Sequence, residues 1–307
     1  WAEIIEHALA DGVSSVTFRT GGSTGTPTPV THSWSSLNQE IDFLAELFSR
    51  RGRIISTVPS HHIYGFLFTV LLPDRLGLPV LRFAWERTRE VAEVLAPGDL
   101  VVSHPAIWQY LRRSSRRWPP GVYGVSSTAP LPEQLHRELR EHGIEELFEI
   151  YGSTETGGVG YRREPGEPFT LFPYFVPGDG EGELYRLTAD GAGEPVTLMD
   201  ALHWVGEREF RPTGRKDRTV QVGGENVSLD YVEAVIGELP GVEEVAVRLN
   251  GQGPSARLKA FVVPEAGREP TESELREGVA KRLRPVARPL SFTLGKELPR
   301  SPLGKFT

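Results

Sequence analysis

The chain contains no cysteine, which excludes disulfides, thiol nucleophiles and cysteine-ligated zinc. It has no apolar run near the roughly 18 residues that a membrane-spanning helix needs. An excess of positive charge is missing too: 34 Lys and Arg face 41 Asp and Glu, a formal charge of −7. Neither nucleic acid nor an anionic membrane surface is therefore expected as the main partner, although a local cationic spot can still take an anionic substrate. No HExxH or similar spacing is present, so zinc is not expected. The opening Trp1-Ala2-Glu3-Ile4-Ile5-Glu6 lacks a basic region before an apolar one and does not read as a signal peptide. A cytoplasmic location is expected, and a start at Trp reads as beginning inside a longer protein. What is there is 307 residues, 38% hydrophobic and 24% charged. That suffices for one large or two ordinary globular cores.

Strand and helix patterns alternate along the first two thirds. Val13 to Arg19, Ile54 to Val58, Val80 to Phe83, Leu100 to Ser103, Gly121 to Ser126 and Leu147 to Ile150 read as strands. Helices are expected at Ile4 to Leu9, Trp34 to Arg50, Phe66 to Leu72, Arg87 to Leu95, Ile107 to Arg113 and Pro132 to His142. The arginines 112, 113, 116 and 117 read as a solvated helix end. This order predicts an α/β domain with a mostly parallel sheet flanked by helices. Ligands of such sheets sit outside the carboxyl ends of strands, so the loops after Arg19, Val58, Ser126 and Ile150 are expected to share one rim. Beyond Lys216-Asp217 the order is strand, Gly223-Gly224 turn, helix, two strands, helix and strand, a small α+β unit. The boundary is placed at residues 1–216 and 217–307.

Three polar stretches stand out. Thr20-Gly21-Gly22-Ser23-Thr24-Gly25-Thr26 offers hydroxyls and backbone N–H groups that can cradle phosphate oxygens, with a flexible surface turn as the bland alternative. It also matches G-x-S-x-G, with Ser23 as a hydrolase nucleophile, but that elbow needs a helix directly after it and Pro29 disfavours one. In Tyr151-Gly152-Ser153-Thr154-Glu155-Thr156-Gly157, Glu155 can hold Mg²⁺, Thr154 can donate to a phosphate and Tyr151 can stack on a base. The bland alternative is a turn whose hydroxyls cap a helix. His62, before an apolar helix, and Asp200, in an apolar setting, have ordinary structural explanations, and Lys305 that of a solvated tail charge.

Set in order, these stretches resemble the adenylate-forming superfamily of acyl-CoA synthetases, aryl-acid ligases and adenylation domains. The resemblance rests on Thr20 to Pro27, Pro59 to Gly65, Tyr151 to Glu155, Asp200, Gly214-Arg215-Lys216-Asp217 and Pro299 to Lys305, over nearly the whole chain. It implies that Thr20, Gly22, Ser23, Thr24 and Gly25 wrap the outer phosphates of ATP. Thr154 would touch the α-phosphate and Glu155 would hold Mg²⁺. Tyr151, Gly152 and the turn Thr128-Ala129-Pro130 would flank the adenine, with Asp200 and Arg215 on the ribose. Lys305 would bridge the substrate carboxylate and the α-phosphate. His62, Tyr64, Gly65 and Ser126 would line the acid pocket. The small domain would then rotate about Asp217, bringing Gly223 and Gly224 to the thiol of CoA or of a carrier-protein phosphopantetheine. The implied reaction is ATP-dependent adenylation of a carboxylic acid, with pyrophosphate release and thioester formation.

The chain departs from that pattern in four places. Thr28 stands where the family has a lysine, the region before the phosphate loop is nearly absent, Asp200 sits in Leu-Met-Asp-Ala, and the span from Glu155 to Asp200 is short. The first two leave open a non-catalytic nucleotide- or acyl-binding relative. Within the superfamily, His61 to Phe66 and Pro27 to Trp34 resemble bacterial ligases for aryl acids, such as those of aryl-polyene pathways, so a hydroxybenzoate- or coumarate-like acid is expected.

Overall fold

The computed structural model describes residues 3, 10–19, 28–113, 117–178, 183–188, 191–215, 218–251 and 253–298. These form two compact units that part between Gly214 and Arg215, each with its own core.

The first unit begins with an antiparallel hairpin of β1 (Ser15–Arg19) and β2 (Pro29–Ser33), with Phe18 opposite Val30 and Val16 opposite His32. Its partner is another short strand, so β1 is not a strand of the main sheet, and the loop after it lies outside the described residues. Helix α1 (Trp34–Leu47) follows at once, capped by Ser33, whose hydroxyl accepts from the Ser36 N–H. Leu37, Ile41 and Leu44 lie one turn apart and are buried, each contributing about 2 kcal/mol of apolar burial. Glu40 shares that face and is buried with them.

The main sheet starts at β3 (Arg53–Ser56). The expected apolar helix is built in three pieces: α2 (Ile63–Phe66), a wider π-helical stretch over Leu67–Leu71, and α3 (Leu72–Leu76), which Gly77 ends in a left-handed turn. Then come β4 (Val80–Arg82), a 3₁₀ turn over Trp85–Glu90 leading into α4 (Val91–Val94), β5 (Asp99–Ser103), α5 (Pro105–Leu111), β6 (Tyr123–Ser126) and α6 (Glu133–His142). Arg112, at the end of α5, is half-buried and pairs with Glu138 at 2.7 Å, so this end is not simply solvated.

β7 (Glu146–Ser153) runs three residues past the expected end. It turns at residues 154–156 into β8 (Gly157–Arg162), followed by β9 (Phe169–Leu171), β10 (Phe175–Pro177), β11 (Leu184–Leu187), β12 (Gly193–Val196), β13 (Asp200–Trp204) and β14 (Glu209–Arg215). The sheet order is β13-β14-β9-β8-β7-β6-β5-β3-β4. Strands β4 to β7 pair in parallel; from β7 onward the pairing is antiparallel. The cause is local: a crossover needs a dozen or more residues, and the 154–156 turn permits only a hairpin. Both faces of the parallel part are buried, as such strands require. Ile54, Leu100, Val102 and Phe148 enter one core, and Ile55, Val101 and Leu147 enter the other, against Trp108, Leu135 and Leu139. The carboxyl ends of β3, β5, β6 and β7 therefore lie along one rim.

The second unit opens with the hairpin β15 (Thr219–Val222) and β16 (Glu225–Ser228). Gly223 and Gly224 turn it with φ of 60° and 86°, the pair of positive values that a tight two-residue hairpin demands. Next are α7 (Leu229–Gly237), β17 (Val242–Asn250), β18 (Arg257–Pro264), α8 (Glu272–Ala280) and β19 (Ser291–Leu294). Thr271 and Glu274 close α8 with a reciprocal cap. Val232, Ile236, Leu258, Ala260, Leu275 and Val279 belong to this unit's core. Among the described residues no helix is long and apolar enough to cross a membrane.

Candidate active site

The rim of the parallel sheet is held by hydrogen bonds between strand ends. Thr57 donates to the Ser103 hydroxyl at 2.8 Å, and Ser127 donates to the Ile150 carbonyl at 2.9 Å. The Tyr64 hydroxyl lies 3.0 Å from the carbonyls of both Ser103 and Val125. Burial, then its bond to Ser103, sets its acidity, with burial pushing it well above the ordinary phenol value. That hydroxyl is committed to the rim, so Tyr64 can offer a pocket only its ring. Ser126 beside it is buried, and its hydroxyl has no partner among the described residues. Gly65 is required by space: a Cβ there would lie 2.0 Å from the Pro59 carbonyl oxygen. His62 immediately precedes α2, with its ring centroid 4.4 Å from that of His61. Desolvation, then the neighbouring His61, lowers its pKa from the ordinary imidazole value.

The turn after β6 carries the second group of predicted residues. Thr128 adopts φ of 76°, a left-handed conformation that costs a β-branched residue energy and gathers at functional positions. Pro130 is exposed and Ala129 half-buried. The turn is anchored where Leu131 donates its N–H to buried Glu149 at 3.0 Å; Glu149 in turn accepts from Arg162 at 2.8 Å.

The stretch that reads as a loop after Ile150 is instead the end of β7 and the tip of the β7–β8 hairpin, and no helix follows for its hydroxyls to cap. Ser153 and Thr156 close the tip: the Ser153 N–H donates to the Thr156 hydroxyl at 3.1 Å, and the Thr156 N–H to the Ser153 hydroxyl at 3.3 Å. Gly152 is obligatory, since a Cβ would meet the Gly157 carbonyl oxygen at 2.2 Å. Thr154 is half-buried and Glu155 exposed. Tyr151 packs its ring against Phe169 and Phe210, with centroids 5.6 and 5.3 Å away, and donates its hydroxyl to Asp200 at 2.7 Å. Asp200 opens β13 rather than capping a helix, so strand pairing brings it to Tyr151 across 49 residues.

Behind the tip lies a buried polar cluster that the motifs do not mark. His32 on β2 meets the Thr154 carbonyl at 2.7 Å. Since a carbonyl only accepts, Nε2 carries the proton. Burial lowers the His32 pKa, opposed by that bond. Glu40 on α1 accepts the Gly158 N–H at 2.9 Å, and burial raises its carboxyl from 4.5 to about 7. Arg186 on β11 donates to the Thr156 carbonyl at 2.9 Å and to the Ser36 carbonyl at 3.0 Å, under the rings of Tyr174 and Phe175. A signal existed for Glu40: positions 37, 40, 41 and 44 share one helical face, and a glutamate there is out of pattern.

Thr20, Gly22, Ser23, Thr24, Gly25, Asp217 and Lys305 lie outside the described residues, and of Arg215 only the backbone is described, as the last residue of β14. Gly223 and Gly224 form a hairpin tip of the second unit, where the turn alone accounts for two glycines. Residues Pro29–Ser33 form strand β2, where a nucleophile elbow calls for a helix. Among the described residues no three His, Asp or Glu side chains gather as a metal site. A lone exposed Glu155 suits a magnesium ion held mainly by substrate phosphates, which typically takes only one or two protein carboxylates.

Comparison with known proteins identifies the family. Residues 13–173 match the model of the AMP-binding enzyme family, and residues 231–305 that of the AMP-binding enzyme C-terminal domain. A 4-coumarate–CoA ligase of Halorhodospira halophila is 42% identical over 99% of this chain and 78% of its own length. Another from Rhodobacter capsulatus is 40% identical over 98% of the chain and 78% of its own length. Among solved structures, an o-succinylbenzoate CoA synthetase of Bacillus subtilis aligns over 96% of this chain and 68% of its own, with TM-score 0.76 and 19% identity, a likeness of fold.

Proposed function

This chain belongs to the AMP-binding enzyme family, an ATP-dependent, acid-activating group of adenylate-forming ligases, and we propose that its own substrate is an aryl acid of the coumarate or hydroxybenzoate class, with CoA as the thiol acceptor. The observation that carries the substrate class is identity of 42% and 40% to two enzymes named 4-coumarate–CoA ligase, each matched over nearly the whole chain. The apolar surroundings of the rim at Tyr64, Gly65 and Phe66 suit a flat ring.

The chemistry assigns the polar residues. A carboxylate must attack an anionic phosphorus, so the charge repulsion has to be offset by cations and N–H donors. No general base is required, because the acid is already ionised near neutral pH. Thr154 would donate to the α-phosphate and Asp200 would accept from the ribose hydroxyls, its carboxylate held by Tyr151. Tyr151 and the Thr128-Ala129-Pro130 turn would flank the adenine. Glu155 would hold Mg²⁺, which when bound neutralises phosphate charge. Thr20, Gly22, Ser23, Thr24 and Gly25 would cradle the outer phosphates, with Arg215 at the ribose and Lys305 between carboxylate and α-phosphate. The acyl-adenylate forms as pyrophosphate leaves. A thiol then attacks the acyl carbon and AMP leaves, with Gly223 and Gly224 lining the thiol's approach after rotation about Asp217.

The test is pyrophosphate release by the full-length protein across a panel of aryl and fatty acids, followed by CoA against carrier protein as acceptor. Release with 4-coumarate or a hydroxybenzoate above that with fatty acids is expected; release with fatty acids alone overturns the substrate class. Lys305→Ala should abolish adenylation while leaving thioester formation from supplied acyl-adenylate largely intact, and equal loss of both half-reactions contradicts its role.

A further inference from the structure

The tip of the β7–β8 hairpin is held from behind at successive backbone groups, each by a side chain from a different part of the chain. His32 on β2 donates to the Thr154 carbonyl at 2.7 Å, and Arg186 on β11 to the Thr156 carbonyl at 2.9 Å. Glu40 on α1 accepts from the Gly158 N–H at 2.9 Å, and the Tyr174 hydroxyl approaches the Gly158 carbonyl at 3.4 Å. The carboxylate sits close against two glycines: a Cβ on Gly157 would lie 2.5 Å, and one on Gly158 2.6 Å, from the Glu40 oxygens.

Burying a carboxylate and a guanidinium is expensive, and apolar residues of similar volume would usually serve stability as well. What these groups supply that leucines cannot is direction. They fix carbonyl and N–H vectors of a five-residue segment whose outer face carries Thr154 and Glu155. Glu155 itself is exposed, so its position is set through the backbone.

We propose that His32, Glu40 and Arg186 are positioning residues for adenylation, gripping the backbone of residues 154–158 so that Thr154 and Glu155 meet the magnesium-bound polyphosphate in register. The inference rests on the reading of Thr154 and Glu155 given above. None of the three touches substrate; they act through the tip, and their effect belongs to the first half-reaction alone.

The experiment uses full-length protein, 4-coumarate, ATP and Mg²⁺, comparing wild type with His32→Ala, Glu40→Leu, Glu40→Gln and Arg186→Lys. Glu40→Gln keeps an acceptor for Gly158 at nearly unchanged volume, so it remains informative if Glu40→Leu fails to fold. Pyrophosphate release and thioester formation from supplied coumaroyl-adenylate are measured separately, as is the half-saturating Mg²⁺ concentration. Loss of register should lower kcat/KM for MgATP roughly ten- to a hundredfold in His32→Ala and Arg186→Lys. It should also raise the Mg²⁺ requirement, leave the thioester step within about twofold, and spare Glu40→Gln relative to Glu40→Leu. Equal losses in both half-reactions, or an unchanged Mg²⁺ requirement in His32→Ala and Arg186→Lys, would overturn the assignment in favour of a purely structural cluster. Wild type inactive with every acid of the panel would instead sink the underlying functional reading, so the two failures are distinguishable.

Discussion

At the scale of single residues, the site is defined as much by missing side chains as by present ones. Gly65 and Gly152 sit where backbone from another segment occupies the space of a Cβ, at 2.0 and 2.2 Å. These contacts are with main chain, which cannot rotate away. Gly65→Ala is expected to push the Pro59–Ser60 segment outward and to cost roughly 1–3 kcal/mol of folding stability, by analogy with overpacked cores. Denaturant unfolding of the variant beside wild type measures it, and a midpoint unchanged within error would refute the clash. The left-handed Thr128 poses the opposite problem, since strain there is carried by a side chain that glycine would relieve.

At the scale of elements, α1 packs a carboxylate into an apolar face, and this makes stability depend on pH. The Glu40 carboxyl is raised from 4.5 to about 7 by burial, partly offset by the Arg186 charge and the Gly158 N–H. Between those values the folded chain holds a proton that the unfolded chain has released. Stability from this group therefore falls as pH rises from about 4.5 to about 7, an interval corresponding to about 3 kcal/mol. His32 has the opposite sign, because burial lowers its value, and its contribution is lost as pH falls below the ordinary 6.5. Comparing wild type with Glu40→Gln isolates the carboxyl: the variant should lose the decline between pH 5 and 7, and parallel curves would show that Glu40 does not titrate there. The same scale explains what the sequence made legible. α1 and the strands Arg257–Pro264 and Ser291–Leu294 follow local apolar periodicity and are found where it points. The extension of β7 through Gly152 and Ser153 has no such signal, because it depends on pairing with the glycine-rich β8. β16 is four residues long with only its last two buried, too short a pattern to read. Of the site, the polar motifs were legible, whereas His32 and Arg186 become meaningful only when β2 and β11 converge on the tip.

At the scale of the whole molecule, the two units bury separate clusters, with the core residues of the second running from Val222 to Phe292. That core includes two helices and a three-stranded sheet, enough for independent folding. Residues 215–307 expressed alone should give a cooperative thermal transition with helical and strand circular dichroism. A non-cooperative melt would mean that the second unit needs the first. The rotation proposed above would require units that are stable separately, which the same melt checks for the second.

The hairpin tip at residues 154–156 carries one further consequence, for how such a chain can change over time. On its N-terminal side β7 is locked in register to β6, and on its C-terminal side β8 is locked to β7 and β9, with the one irregularity already used between Tyr151 and Gly152. Strands alternate faces with each residue, so one inserted residue would turn every following side chain of β8 inside out. Gly158 would leave Glu40, and Val159 its place in the core. The tip can therefore exchange residues but cannot change its length. The turn at residues 163–168, anchored to a sheet only at its ends, is where relatives are expected to gain and lose residues, and aligned homologues with insertions within 154–157 would contradict this.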